Sequence, residues 1–443
     1  MKRIYTALSC FMLLFVMLVG LISTFDVDAT FSEAEKRQLK TKPKMTFSNL
    51  LDGTYFNLYR EYFADTFPNR EPLMESNTTL NGFYYFGGLG SDDSASLVID
   101  FSSNAAQHGE ALKPTGDPDA TVAEGENETE PAKKPTEPLA AAEQLGSVVL
   151  IGNSAFDVPH ADNDQIIKYA QAVTAIADTL GSDVKTFSMP VPNSSEFYTH
   201  KEYHTGKTSQ KDMFELCKNN LGSNVAFVDA YSEIAKHTDE YIYFRTDHHW
   251  THLGAYYAYS ALVKDAGFTP VNRDDFATGQ WENFVGSMYT YVSNYPQGRV
   301  LRDNPDTVHY WKPNANITTT CYNSTALTGG YAMGTICRVG EEVDNKYLTF
   351  MGGDHPIAIV ETDTVGPCIL VIKESYGNAL ISWLTNHYSK IILIDPRQYY
   401  GKNSDIDLAG FAASQGVDQC LVVNYPMMLN SDGYTRLLEK LTK

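Results

Sequence analysis

Asp247 and His249 stand two residues apart in the run Thr246-Asp247-His248-His249-Trp250. Side chains two apart in an extended segment point the same way. The carboxylate could then hold the imidazole in one tautomer and stabilise its protonated form, the orienting role in a serine triad. The alternative is structural: Asp247 caps the following helix and His249 packs beneath Trp250.

Ser375 is the candidate nucleophile that would complete such a triad. It follows a predicted strand at 368–373, apolar up to Lys373, and precedes a helical pattern, so the sequence predicts a strand–turn–helix. Such a turn exposes the serine oxygen and aims the first helix amides at a developing oxyanion. The amides of Tyr376 and Gly377 are the oxyanion candidates, and Asn378 could add a side-chain donor. The alternative is an ordinary N-capping serine.

Ser154 is a rival nucleophile. The run Gly152-Asn153-Ser154 imitates the Gly-Asp-Ser block that opens ordinary SGNH esterases. Those enzymes carry a DxxH pair near the C-terminus, and no such pair follows residue 380, where His387 is the only histidine. The Gly-Asn-Ser run is therefore predicted to be a turn at a strand end.

A metal site is a third possibility for the same region. Asp247, His248, His249 and His252 could supply ligands, and a helix reaching back to residue 248 would put His248 and His252 on one face. No HExxH motif is present. The sequence favours a site without a metal or a dissociable cofactor.

Arg397 follows a predicted strand in the run Asp395-Pro396-Arg397, beside Tyr399 and Tyr400. It could bind a carboxylate or sulfate on a glycan, or pair with Asp395. The structural pair is the favoured interpretation.

The elements that must position these residues have an α/β pattern from residue 147 onward. Short apolar strands alternate with helices, which predicts a mainly parallel sheet covered on both faces. The predicted strands are 148–151, 184–190, 225–229, 241–245, 368–373, 391–395 and 420–424, and the predicted helices are 164–180, 251–266 and 377–388. Residues 270–365 are rich in Tyr, Thr, Gly and Asn and predict a β-rich insertion.

The N-terminal part of the chain has a different character. Lys2 and Arg3 precede an apolar run, and residues 1–25 predict an uncleaved membrane anchor or, alternatively, a cleaved signal, with the rest of the chain outside the cell. Residues 31–103 predict a helical region, with a capping box formed by Ser32 and Glu35 and an amphipathic helix at 59–70. Residues 104–146, dominated by Glu, Pro, Thr and Ala, predict a disordered linker.

The amino-acid composition limits the classes of partner that this chain can bind. The formal net charge of −20 makes a nucleic-acid partner unfavourable. Five cysteines follow the leader, without a CxxC pair. Cys321 and Cys337 could pair outside the cell, but buried free thiols are the favoured interpretation for most of the five.

The motifs together resemble the DHHW proteins of Gram-positive bacteria. The resemblance rests on TDHHWTHLGAYYAY, on FSEAEKRQL and DTFPNR before it, and on FVGSMY, KESYGNAL and IDPRQYY after it. It covers most of residues 31–430 outside the linker. It implies an SGNH-like three-layer sandwich with a mainly parallel sheet, a β-rich insertion and an N-terminal helical arm, with the catalytic domain at 147–443.

This family is in turn similar to the periplasmic alginate O-acetyltransferases, which place a DxHW motif ahead of a late serine. By position, their Asp, His, Trp and nucleophile match Asp247, His249, Trp250 and Ser375, while His248 inherits no role. Glu374 stands where an Asp is usual.

The resemblance implies an extracytoplasmic serine acyltransferase that O-acetylates a cell-envelope polysaccharide. It also implies a multispanning membrane acyltransferase that supplies acetyl groups. An O-acetyl esterase and a non-catalytic glycan-binding or scaffold protein are the alternatives.

Overall fold

The computed structural model describes residues 142–145, 148–200, 209–341 and 343–443, together with short stretches between residues 31 and 63. The chain divides into two compact units, 1–92 and 93–443. In the first unit, strands β1 (Phe31–Ser32) and β2 (Arg37–Gln38) pair antiparallel. The predicted helix start at Ser32 is therefore wrong, because Ser32 pairs with Arg37 in a strand. Residues 55, 58, 59, 62 and 63 are helical, and the rest of the predicted helix lies outside the described residues.

Two further predictions fall mostly outside the described residues, namely the leader at 1–25 and the linker at 104–146. No helix among the residues that the structure describes has the length and apolar character needed to cross a bilayer. The end of the predicted linker is ordered, because Ala142–Leu145 forms a strand, β3, that pairs with the apolar segment after it.

The second unit has thirteen strands in its described part. They are β3 (Ala142–Leu145), β4 (Val148–Ile151), β5 (Ser154–Asp157), β6 (Lys185–Pro190), β7 (Val225–Phe227), β8 (Thr278–Phe284), β9 (Asp306–Trp311), β10 (Ile317–Tyr322), β11 (Tyr331–Met333), β12 (Ile357–Thr362), β13 (Cys368–Lys373), β14 (Lys390–Ile394) and β15 (Gln419–Asn424).

The α-helices of this unit are α1 (Asn163–Leu180), α2 (Ser195–Tyr198), α3 (Gln210–Asn219), α4 (Ala230–Ile234), α5 (His252–Ala266), α6 (Ser287–Val292), α7 (Arg299–Asp303), α8 (Asn378–Leu384), α9 (Pro396–Tyr400), α10 (Leu408–Gln415), α11 (Pro426–Leu429) and α12 (Asp432–Lys440). Short 3-10 turns include Lys346–Thr349 and Ser375–Gly377.

An eight-stranded sheet organises the second unit, in the order β11-β10-β12-β14-β13-β15-β6-β7. Strands β14, β13, β15, β6 and β7 run parallel, and β12, β10 and β11 extend the sheet in antiparallel fashion. Every residue of β13 is buried, which is typical of a strand covered on both faces. The protein is thus a mixed α/β fold with a large, mostly parallel sheet, and its finer three-layer arrangement stays a prediction.

Two predicted strands are not part of this sheet. Residues 148–151 form a strand, but it lies in a separate antiparallel sheet of β3, β4 and β5. Residues 241–245 form no strand and make only one isolated bridge, Tyr243 to Trp250. The apolar residues of this segment, Ile242 and Phe244 among them, are buried by side-chain packing instead.

The predicted β-rich insertion at 270–365 is not a separate module. Its strands β8 and β9 form a separate two-stranded antiparallel sheet, whereas β10, β11 and β12 join the main sheet. The cysteines Cys217, Cys321, Cys337, Cys368 and Cys420 are all buried free thiols, so the alternative of a Cys321–Cys337 disulfide is wrong.

Candidate active site

The loop at 246–250 is held by a hairpin-like fold of its flanks and by one buried carboxylate. The Phe244 amide donates to the His249 carbonyl over 3.3 Å, and the Thr251 amide donates to the Ile242 carbonyl over 3.0 Å. Asp306, at the start of β9, accepts from the Thr246 amide (2.8 Å) and hydroxyl (2.6 Å). The loop is therefore fixed by its own flanks and by a residue of β9, although residues 241–245 form no strand.

Asp247, His249 and Ser375 come together in one hydrogen-bonded line. His249 Nδ1 lies 2.6 Å from Asp247 Oδ1, and His249 Nε2 lies 2.9 Å from Ser375 Oγ. Because an ionised carboxylate can only accept, Nδ1 carries the proton and Nε2 accepts from the serine hydroxyl. The cap alternative for Asp247 is wrong, since Thr251 is the N-cap of α5.

The electrostatics favour an ionised Asp247. Burial by itself would raise the pKa of this carboxyl, but the imidazoles of His249 and His248 and the amide of Ser287 lower it well below its usual range. Burial and the neighbouring His249 lower the pKa of His248 to about 3, so His248 is neutral near pH 7. A neutral second imidazole beside the pair avoids a buried like-charge contact.

Ser375 lies in the predicted turn between β13 and α8. Glu374 caps this turn, and its Oε2 accepts from the Tyr376 amide over 2.8 Å. The Gly377 amide donates to the Glu374 carbonyl over 2.9 Å. A Cβ at residue 377 would lie 2.7 Å from Lys373 Cβ, so the turn needs glycine to pack this closely on the strand end. The two amides predicted for the oxyanion are thus both engaged by Glu374.

Trp250 and Tyr376 tie the two segments of the site together. The Trp250 indole N–H donates to the Tyr376 carbonyl over 2.9 Å, and the Tyr376 hydroxyl donates to the His248 carbonyl over 2.7 Å. Both side chains are fully buried. The structure therefore places Trp250 in the core beneath the site.

Asn378 and Arg397 belong to a buried polar network behind Ser375. Asn378 bonds Asp354 over 2.8 Å and also accepts from the Lys373 ammonium. Arg397 pairs with Asp395 over 2.6 Å and with Asp354 over 2.9 Å. The favoured pairing of Arg397 with Asp395 is confirmed.

The residues of the metal alternative are only partly brought together. Within the described residues, ligand atoms of Asp247, His248 and His249 lie within 4.8 Å of one another. His252 points elsewhere, toward Ser382 at 2.8 Å. Two ligands of one tetrahedral zinc ion lie about 3.3 Å apart, whereas Asp247 and His249 are at the hydrogen-bond distance of 2.6 Å. This geometry fits proton transfer better than metal binding.

Ser154 begins β5, directly after the turn from β4, and makes no hydrogen bond to His249, which bonds Ser375 instead. Ser154 pairs with Ile151 across a two-residue turn in which Gly152 has a φ of 60°. Such a turn is typical of a tight β-hairpin. The predicted turn at the Gly-Asn-Ser run is confirmed.

Several residues that hold the site were not predicted from the sequence. The Ser287 amide donates to Asp247 Oδ2 over 2.8 Å, and the Ser287 hydroxyl lies 2.7 Å from His248 Nδ1. The Tyr347 ring stacks on His249 with centroids 3.9 Å apart. His248 packs on His249 at 3.8 Å. The only sequence signal was the FVGSMY run, which contains Ser287 but does not reveal its contacts.

The fold and site together define a mixed α/β protein with a Ser–His–Asp line at the carboxyl end of a parallel strand. The chain belongs to the DHHW family, since the family model described as DHHW protein matches residues 35–91 and 106–394. The predicted family is thereby confirmed. No curated protein matches the chain.

Solved structures match this chain, and those with a TM-score above 0.5 resemble it in fold. A DHHW family protein from Eubacterium siraeum is 26% identical with a TM-score of 0.60, and the match covers 68% of this chain and 97% of that one. Bacillus cereus PatB1 with a sulfonyl adduct is 16% identical with a TM-score of 0.53, covering 66% and 99%. The O-acetyltransferase domain of Pseudomonas putida AlgJ is 13% identical with a TM-score of 0.36, covering 68% and 98%.

Proposed function

We propose that this protein is an extracytoplasmic serine acyltransferase that acts on a cell-envelope polysaccharide, with acetyl as the transferred group. The observation that carries the proposal is the continuous line from Asp247 Oδ1 to His249 Nδ1 (2.6 Å) and from His249 Nε2 to Ser375 Oγ (2.9 Å). These are the contacts that a general base needs to activate a serine nucleophile.

In the proposed reaction, Ser375 Oγ attacks the acyl carbonyl while His249 takes the hydroxyl proton. The new bond joins Oγ to the acyl carbon, and the bond to the donor oxygen breaks as His249 returns the proton to it. Asp247 holds His249 in the required tautomer and stabilises its charged form. An acceptor hydroxyl then attacks the acyl-enzyme, and His249 passes the acceptor's proton back to Ser375.

The donor and the setting are part of the same proposal. A multispanning membrane acyltransferase would deliver acetyl groups from inside the cell to this extracytoplasmic site. An O-acetyl esterase would use the same triad with water as the acceptor. The engaged amides of Tyr376 and Gly377 mean that the oxyanion donors would have to be freed or supplied by other groups during the reaction.

The activity can be tested with the purified full-length chain and p-nitrophenyl acetate. Ser375→Ala and His249→Ala should each lower the rate by at least about a thousandfold, and the double variant should lose little more, because the two residues act as a unit. Ser154→Ala is the matched serine control and should retain activity. Loss of activity in Ser154→Ala alone would contradict the proposal. Hydrolysis to water with every glycan acceptor would favour the esterase.

A further inference from the structure

Tyr425 stands beside the candidate nucleophile at the edge of the main sheet. Lys373 of β13 is in register with Val423 of β15, so Ser375 and Tyr425 leave neighbouring strands at the same level. The Tyr425 amide donates to Glu374 Oε1 over 3.3 Å. The Tyr425 ring stacks on Tyr376 with centroids 4.7 Å apart and planes 6° apart. These contacts fix the Tyr425 ring against the turn that carries Ser375.

Asp157, the last residue of β5, is bonded to the segment that follows β6 of the main sheet. Asn193, three residues beyond β6, donates its Nδ2 to Asp157 Oδ1 over 3.0 Å and to the Asp157 carbonyl over 2.9 Å. Strand β6 pairs with β15, the strand that leads to Tyr425. Burial raises the pKa of the Tyr425 and Tyr376 phenols, and the carboxyl of Asp157 is close enough to both to add to this effect.

The side chains of Asp157 and Tyr425 are both buried, and each has one polar atom without a hydrogen-bond partner. Asp157 is 3% exposed and Tyr425 is 1% exposed, and neither Asp157 Oδ2 nor the Tyr425 hydroxyl has a hydrogen-bond partner. Among the described residues, Asp157 Oδ2 is the one carboxyl oxygen in this state. An unpaired polar group in the interior destabilises the fold. Two of them beside a candidate nucleophile indicate that a ligand supplies the missing partners.

We propose that Asp157 and Tyr425 form a subsite that binds hydroxyl groups of a neutral sugar acceptor next to Ser375. We call these two residues the acceptor subsite, and the proposal rests on the acyl transfer proposed above. A carboxylic acid and a phenol each donate and accept, as sugar hydroxyls do. Burial and the nearby Asp247 raise the pKa of Asp157 to about 8, so near pH 7 it is an uncharged donor suited to a neutral partner.

The acceptor subsite would act in the second half of the reaction. A sugar hydroxyl attacks the acyl carbon of the Ser375 ester, and His249 takes the hydroxyl proton. The bond between the acyl carbon and Ser375 Oγ breaks, and His249 returns the proton to Oγ. Asp157 and Tyr425 would hold neighbouring hydroxyls of the same sugar, so they would affect transfer and leave formation of the acyl-enzyme nearly unchanged.

The test separates these two half-reactions in the full-length protein. The burst of p-nitrophenol from p-nitrophenyl acetate reports acyl-enzyme formation, and O-acetylated chitotetraose, measured by mass spectrometry, reports transfer to a neutral acceptor. Tyr425→Phe removes the phenol hydroxyl and Asp157→Leu removes the carboxyl group, whereas Asn would keep a donor at the same place. Tyr400→Phe is the matched control, because its hydroxyl is also unpartnered but lies after β14, outside the acceptor subsite.

In both subsite variants the burst should stay within about threefold of the wild type, while transfer falls at least about tenfold, as expected when a substrate hydroxyl loses its partner. Tyr400→Phe should leave both readouts unchanged. Three outcomes would overturn the acceptor subsite. In the subsite variants, they are equal losses of burst and transfer, or unchanged transfer. In the wild type, it is a burst without any transfer to chitotetraose. Preference for the cationic tetraglucosamine would also overturn it. Absence of the burst in the wild type would overturn the proposed function itself, and the subsite with it.

Discussion

The Tyr347 ring lies flat against the His249 imidazole, with centroids 3.9 Å apart and planes 14° apart. Its hydroxyl donates to the Ser375 carbonyl over 3.1 Å. One side chain from the 3-10 turn Lys346–Thr349 therefore contacts both the proposed base and the backbone of the proposed nucleophile. With His248 on the other side at 3.8 Å, the imidazole of His249 is held between two rings.

This arrangement predicts different effects for two substitutions of Tyr347. Tyr347→Phe keeps the stacked ring and loses one hydrogen bond, which should cost about 0.5–1.5 kcal/mol of stability and leave esterase activity within a few fold. Tyr347→Leu also loses the stacking, worth about 0.5–1.5 kcal/mol more, and should lower kcat about tenfold or more. Urea denaturation and p-nitrophenyl acetate kinetics measure both. Equal kcat values for the two variants would show that stacking does not position His249.

Substitution of Gly286 should also disturb the triad. A Cβ at this residue would lie 2.3 Å from Asp247 Cβ and 2.6 Å from its Oδ2. Gly286→Ala should therefore displace Asp247 and lower kcat by about a hundredfold or more, toward the loss seen when a triad carboxylate is removed. Gly410→Ala is the matched control, because its Cβ would meet Asp407 Oδ2 at 2.2 Å, away from the site. A fully active Gly286→Ala variant would contradict the role of Asp247.

Replacement of Arg397 should lower the stability of the protein. Its guanidinium pairs with the buried carboxylates of Asp395 and Asp354. Removing one partner of a buried ion pair leaves an uncompensated charge and costs about 3–5 kcal/mol. Arg397→Leu should lower the urea midpoint strongly, with KM nearly unchanged in the folded fraction. A raised KM at unchanged stability would instead place Arg397 against the substrate, as the sequence also allowed.

The raised pKa of Asp157 predicts a pH-dependent stability difference. Its pKa is about 8 in the folded protein, against an ordinary value of 3.8, because of burial and then the charge of Asp247. Between these values the folded state holds a proton that the unfolded state has released, so this group lowers stability as pH rises. The free energy of unfolding of Asp157→Asn, minus that of the wild type, should increase from about pH 4 to about pH 8 and then level off.

Urea denaturation at pH 5, 6.5 and 8 would measure this difference. Asp183→Asn is the control for removal of an exposed carboxylate. A difference that stays constant over the three pH values would show that Asp157 is ionised throughout.

Local patterns in the sequence predict the parts of this fold that short-range physics determines. The run at 368–373, which is apolar up to Lys373, forms β13 with the predicted bounds, because a strand buried on both faces is built mainly from apolar residues. The turn at Ser375 and the helix stop at Gly267, which has a φ of 94°, also follow from local chemistry.

Contacts between distant segments are what the sequence could not predict. The segment 241–245 has the apolar pattern of a strand, but its Phe244 amide bonds the His249 carbonyl and its Arg245 amide bonds the distant Asp306. Ser287 and Tyr347 reach the triad only through the tertiary fold. The engaged amides of Tyr376 and Gly377 depend on the conformation of Glu374, which no spacing in the sequence specifies.

The central claim is that Ser375 Oγ, activated by His249, forms a covalent bond to the acyl carbon. The direct measurement is peptide mass mapping of the full-length chain after brief reaction with p-nitrophenyl acetate and acid quench, and in parallel with phenylmethylsulfonyl fluoride. The account predicts one acetyl or one sulfonyl adduct on the peptide that contains Ser375, both absent from Ser375→Ala and retained in Ser154→Ala. An adduct on the Ser154 peptide, or an unmodified Ser375 in an active preparation, would contradict it.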